Sequence, residues 1–193
     1  MNKQSLKIIG TALLLSAAWG AAPLSAGSDA TAANATKSEV AVESEAAADT
    51  ELPFMDLLTV AGDRADITSH FDDDKWTLVM IWATDCHVCK EQKPMISAAY
   101  KERKDLDLNV FGIALDGRER LQKVQRYIED HQPAFPNYVG DFAIVSFNYE
   151  VLTEEALRGT PTYLLFNPQN ELMAAQPGRI GKEALIRFIE KNS

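Results

Sequence analysis

Trp82-Ala83-Thr84-Asp85-Cys86-His87-Val88-Cys89-Lys90 holds both cysteines of the chain, with two residues between them. The stretch follows directly on an apolar run, Leu78-Val79-Met80-Ile81-Trp82. Such a run ahead of a C-x-x-C predicts a buried strand that hands the pair to the start of a helix. A helix N-terminus carries partial positive charge and unpaired N–H groups, so the first cysteine there ionises more easily. The thiolate is the attacking species, and the second thiol, one turn on, is placed to resolve a mixed disulfide. The pattern points to dithiol redox chemistry.

Other uses of two cysteines fit less well. Structural zinc takes four ligands, and beyond the cysteines there are only His70, His87 and His131, without a paired ligand spacing. A haem attachment signature needs histidine directly after the second cysteine, where Lys90 stands. A purely structural disulfide over so short a loop would remove little entropy from the unfolded chain. Asp72-Asp73-Asp74 lacks the alternating spacing of a calcium loop and reads as a solvated turn. Neither a metal nor a cofactor is expected.

At 193 residues and 46% hydrophobic content, the chain can bury one ordinary core. A formal charge of −9 without a basic patch argues against a nucleic-acid partner. Lys3 and Lys7 precede an apolar run from Ile8 to Ala22, and Pro23-Leu24-Ser25-Ala26-Gly27 then supplies small residues. This predicts a signal peptide over 1–26, cleaved near Ala26, and an exported, periplasmic location. The run is short of the about 20 apolar residues of a spanning helix, so an uncleaved membrane anchor is the secondary alternative. No cysteine follows the run, which closes the lipoprotein route. Residues 27–50 are Ala, Ser, Thr, Glu and Asp with almost no large side chains, and read as a disordered acidic linker. The folded domain is expected over 51–193.

Within that domain, Pro53 to Leu58 reads as extended and Val60-Ala61-Gly62-Asp63 as a turn; Ile67 and Phe71 resume the apolar pattern. Trp76 to Trp82 is the central strand. A helix is expected from Cys86 to about Lys104, with Met95, Ile96, Ala99 and Tyr100 on its apolar face and Pro94 inside it as a kink. Leu108 to Leu115 is too continuous for a surface strand and reads as a buried parallel one. Leu121, Val124, Tyr127 and Ile128 stand at helical spacing, so Arg118 to His131 crosses back as a helix. Phe135 to Val139 is a short extended piece, and Ala143 to Leu157 is helical at least in part. Tyr163 to Phe166 and Glu171 to Ala175 form a hairpin around Asn167-Pro168-Gln169-Asn170, and Gly181 to Lys191 closes the domain as a helix. The order βαβα then ββα predicts an α/β fold, a mixed central sheet with helices on both faces.

Taken together with Thr160-Pro161, these stretches resemble the thioredoxin fold, and within it the exported TlpA/ResA-like thiol-disulfide oxidoreductases, which include the cytochrome c maturation thioredoxins. The matching pieces are Leu52-Pro53-Phe54, Leu78 to Thr84, Pro94 after the motif, Gly112-Ile113-Ala114-Leu115-Asp116, Gly159-Thr160-Pro161-Thr162 and Gly178. The resemblance spans roughly residues 52 to 191. It implies a thiol-disulfide oxidoreductase in which Cys86 is the nucleophile and Cys89 the resolving thiol. Pro161 would be the cis-proline opposite them, and Thr160 would pair with a substrate chain by strand addition. Trp82 and His87 are further candidates to touch substrate. Protein thiols and disulfides would be the substrates, a membrane electron donor the partner, and a monomer the default state.

The chain also departs from the family. Gln92 stands where a buried Glu is frequent, and Met80 where thioredoxins carry a buried Asp. The carboxylates at those places accept the proton of the resolving cysteine, so a water, His87 or Asp85 would have to substitute. His87, if protonated, would stabilise the Cys86 thiolate and Asp85 would destabilise it. Val151 to Arg158 reads as a longer link than usual and a place for a specificity insertion. The leading expectation is a reductase of protein disulfides. The alternatives are a dithiol oxidase or isomerase of exported proteins and a module gripping a soft ion such as Cu(I) between Cys86 and Cys89.

Overall fold

The computed structural model describes residues 54, 56–71, 74–102 and 107–193. The segments read as a signal peptide, 1–26, and as a linker, 27–50, lie outside the described residues, as do Leu52-Pro53 and Asp72-Asp73. Six strands form one sheet: β1 (Leu58–Thr59), β2 (Trp76–Trp82), β3 (Leu108–Ala114), β4 (Asn137–Val139), β5 (Thr162–Phe166) and β6 (Leu172–Pro177). Four α-helices accompany them: α1 (His87–Glu102), α2 (Leu121–His131), α3 (Phe142–Thr153) and α4 (Lys182–Asn192).

The apolar runs decide which strands lie inside. All seven residues of β2 and six of seven in β3 are buried, and the two strands pair in parallel from Trp76↔Leu108 to Trp82↔Ala114. β5 runs antiparallel to β2 on its other side, and the whole order is β1-β4-β3-β2-β5-β6. The sheet is therefore mixed, with helices on both faces, as the element order required. Period-two alternation splits β2 between two cores. Trp76, Leu78, Met80 and Trp82 join Cys89 and Ile96 of α1, Val124 and Tyr127 of α2 and Leu185 and Ile189 of α4. Val79 and Ile81 join Val145 and Tyr149 of α3 together with Phe54, Leu57, Ile67 and Phe71. Each such side chain contributes roughly 1.5–3 kcal/mol on burial, so the strand that carries the motif is firmly anchored in both cores.

The helix expected to hold Pro94 is α1, which runs from His87 to Glu102 with Pro94 inside it. One difference from the sequence reading has a local cause. The helix read from Ala143 to Leu157 ends at Thr153, where Glu154 adopts a left-handed conformation (φ 59°) and its N–H caps Glu150. Val151 to Arg158 is thus the last turn of α3 plus an irregular return, from which Leu157 packs on the α3-side core. No helix among the described residues is long and apolar enough to cross a membrane.

Candidate active site

The motif is set by the end of β2. After Trp82 the chain turns, with the Cys86 N–H donating to the Ala83 carbonyl at 3.2 Å. Asp116, just past β3, fastens this turn: its carboxylate accepts the Thr84 N–H at 2.9 Å and the Thr84 hydroxyl. Cys86 then occupies the N-cap of α1. Its carbonyl accepts the Lys90 N–H at 3.3 Å, and its Sγ accepts the Cys89 N–H at 3.1 Å. An N-cap side chain satisfies one of the orphan donors of a helix start, and here the acceptor is sulfur.

Cys86 and Cys89 are joined in a disulfide. Cys86 is partly exposed and Cys89 fully buried, so of the two residues only Cys86 has surface to offer a partner. The Thr160–Pro161 peptide bond is cis. The β2–β5 register ends at Ile81↔Thr162, so this bond lies at the same end of the sheet as the motif, just beyond the last strand pair. The Pro161 carbonyl accepts the Gly178 N–H at 2.8 Å, and the Thr162 hydroxyl donates to the Gly159 carbonyl at 2.7 Å. Thr160 is partly exposed at the tip of this turn.

Other expected site residues are placed differently. Trp82 is fully buried, its ring 4.9 Å from that of Tyr127, and it has no surface to offer a substrate chain; it underlies the motif from within the core. His87 points outward, with its side chain 83% exposed and Nε2 at 3.1 Å from Glu91 Oε1. Glu91 also accepts from Arg179, and that guanidinium bond holds its carboxyl below the usual range. His87 is therefore engaged along the helix surface by a carboxylate. Asp85 is exposed. Gln92 is buried and acts as a brace: its Oε1 accepts the Ile180 N–H at 2.9 Å and the Tyr163 hydroxyl at 3.3 Å, tying α1 to β5 and to the approach of α4. Burial raises the Tyr163 phenol far above its ordinary value, so it stays a donor. Among the described residues no group of three or more His, Cys, Asp or Glu could hold a metal ion.

One residue at the site was missed by the sequence reading. Lys93 is 4% exposed, and its Nζ lies 2.7 Å from the centre of the Trp82 ring and 4.1 Å from that of Tyr127. Burial lowers it from 10.5 to about 6, against the pull of Asp116 and with that of Lys90. A signal existed: Cys89, Lys93, Ile96 and Ala99 fall on one helical face, so Lys93 stands in the apolar stripe. Through Lys93 the unfolded chain binds one more proton than the folded one from about pH 6 to about pH 9; nearer pH 10 Tyr127, Tyr138 and Tyr163, which burial holds protonated, act in the opposite sense. Stability of the oxidised protein is expected to rise with pH through the lower window. Urea titrations between about pH 6 and about pH 9 check it, and Lys93→Met removes that rise.

The chain is similar to several known proteins. Thiol-disulfide oxidoreductase ResA of Halalkalibacterium halodurans is 23% identical over 118 residues, covering 61% of this chain and 62% of that protein. The match thus spans less than two thirds of that relative's length. Thioredoxin-like protein SkfH of Bacillus subtilis is 20% identical over 122 residues, 62% of this chain and 80% of that protein. Among solved structures, a thiol:disulfide interchange protein of the thioredoxin family from Chlorobium tepidum superposes with TM-score 0.58 at 19% identity, covering 69% of this chain and 89% of that one. The fold is thioredoxin-like. The AhpC/TSA family pattern matches residues 44–175, well over half of the chain, and the chain belongs to that family.

Proposed function

We propose that the protein is an exported thiol-disulfide oxidoreductase that reduces protein disulfides. The observation that carries the reading is a disulfide at a helix N-cap with one partly exposed cysteine, at the sheet end that also bears the cis Thr160–Pro161 turn. In the reduced protein Cys86 is the nucleophile. Its thiolate attacks one sulfur of the substrate disulfide and expels the other as a thiolate. Cys89 then attacks Cys86, the substrate's second sulfur leaves with its electron pair, and two electrons have passed from the dithiol to the substrate. Thr160 and Pro161 hold the substrate chain beside Cys86 by strand addition. A dithiol electron donor at the membrane restores the reduced pair.

Export is supported by Lys3, Lys7 and the run Ile8 to Ala22, ahead of a folded domain from about residue 51. The reductase direction is supported by His87, whose Nε2 is engaged by Glu91 Oε1 at 3.1 Å along the outer surface of α1. A second reading, oxidation of exported thiols, is favoured by the Cys89 N–H at 3.1 Å from Cys86 Sγ, because a stabilised thiolate makes a stronger oxidant. An insulin-reduction assay driven by dithiothreitol tests the proposal. Accelerated precipitation by the wild type supports it; a rate equal to dithiothreitol alone removes it.

A further inference from the structure

A buried thiol must lose its proton before its sulfur can attack a disulfide, and Cys89 is fully buried. Most candidate proton acceptors of the motif region are committed or neutral. Gln92 is an amide whose oxygen already accepts two hydrogen bonds, and Met80 is a thioether. The Asp116 carboxylate accepts from both donors of Thr84, and His87 lies out on Glu91. Lys93 is different. It follows Cys89 by one helical turn on the same buried face of α1, and with Cys89 held in the disulfide the Lys93 Nζ makes no hydrogen bond to the sulfur. Its Nζ lies over Trp82 and beside Tyr127, the two rings that share a buried cluster with Cys89. Among the described residues Nζ has no hydrogen-bond partner, and neither have Trp82 Nε1 and Tyr127 Oη in the same cluster. Unpaired polar groups in a core are costly, and a knot of them beneath a redox pair asks for a role.

We infer that the Lys93 amine accepts the Cys89 proton as the mixed disulfide is resolved. This rests on the oxidoreductase reading above. The S–H bond of Cys89 breaks and an N–H bond forms at Nζ. The sulfur lone pair attacks Cys86 Sγ, the Cys86–substrate bond breaks, and the substrate sulfur leaves with the electron pair and takes a proton from water. The ammonium returns its proton when the Cys86–Cys89 disulfide is next reduced. The charged and titratable groups around Nζ are Asp116 past β3, Lys90 on α1, and on α2 Tyr127, Lys123 at 4.0 Å from Asp116, and His131 stacked on Tyr127. Burial outweighs Asp116, so the amine is neutral and able to accept at neutral pH. An ordinary thiol near about 8.5 gives up its proton uphill, but the ammonium and thiolate then attract each other strongly in a dry site.

The reduced full chain, mixed with an excess of a chromogenic aryl disulfide, releases one aryl thiol when Cys86 attacks and a second when Cys89 resolves. With Lys93→Met the first release is expected to stay within about twofold of wild type. The second should slow by about tenfold or more at pH 7, within the range of general-base effects, and recover toward pH 10, where hydroxide replaces the amine. A second release equal to wild type at every pH overturns the inference. A measurement on unmutated protein guards against a variant that does not fold: the Lys93 Cε resonance should titrate at a different pH in the reduced and oxidised forms. Identical titrations overturn the inference as well. Absence of both releases from the wild type would instead overturn the oxidoreductase reading, and this inference with it.

Discussion

Cys86→Ser is expected to lower insulin reduction to the rate of dithiothreitol alone, while Cys89→Ser leaves a protein that reacts once and stays attached to its substrate. The two cysteines differ in access and not in type. Cys86 is partly exposed at the N-cap of α1, and Cys89 is sealed in the core. Without Cys86 no sulfur meets the substrate. Without Cys89 the mixed disulfide forms and has no internal thiol to release it. Mass spectrometry of the Cys89→Ser protein after exposure to a disulfide peptide reads this directly. A stable adduct is expected on Cys86; an adduct-free protein would mean that Cys86 is not the nucleophile.

Trp82→Ala should remove about 3–5 kcal/mol of stability, the usual cost of emptying a large aromatic site in a core. The ring is fully buried at the last position of the central strand, against Tyr127 and the Lys93 amine, with Gly112 alongside. A Cβ at Gly112 would come within 2.9 Å of Trp82 Nε1, so the indole fills its space without slack. Denaturant unfolding checks the figure, with the midpoint falling at unchanged slope. A loss below about 1 kcal/mol would show that α1 and α2 collapse into the space.

What could be read from the sequence follows from how local each signal is. β2 and β3 are continuous apolar runs, and a strand buried on both faces needs no partner to be recognised. β1 is only two residues long, and its pairing with Val139 and Tyr138 joins positions about eighty residues apart, which no local pattern encodes. α3 was blurred because Phe142, Phe147 and Val151 are apolar yet exposed, so its sequence lacks a clean stripe and its end at Glu154 carries no glycine. At the site, the position of the cysteines at a helix start was legible from the run that precedes them. Trp82 was not: an aromatic beside a motif is as easily a floor as a wall, and alternation along β2 sends it inward. Lys93 was passed over because lysine is ordinarily assigned to solvent, although its spacing from Cys89 and Ile96 sets it in the buried face.

The most direct test of the account is the reduction potential of the Cys86–Cys89 pair, measured by equilibrating the protein with dithiothreitol and glutathione buffers. One reversible two-electron couple is expected near about −270 mV, in the range of reducing dithiols. A value near about −120 mV would contradict the reductase assignment and make the protein an oxidant of thiols, and the lack of any reversible couple would contradict thiol-disulfide exchange itself.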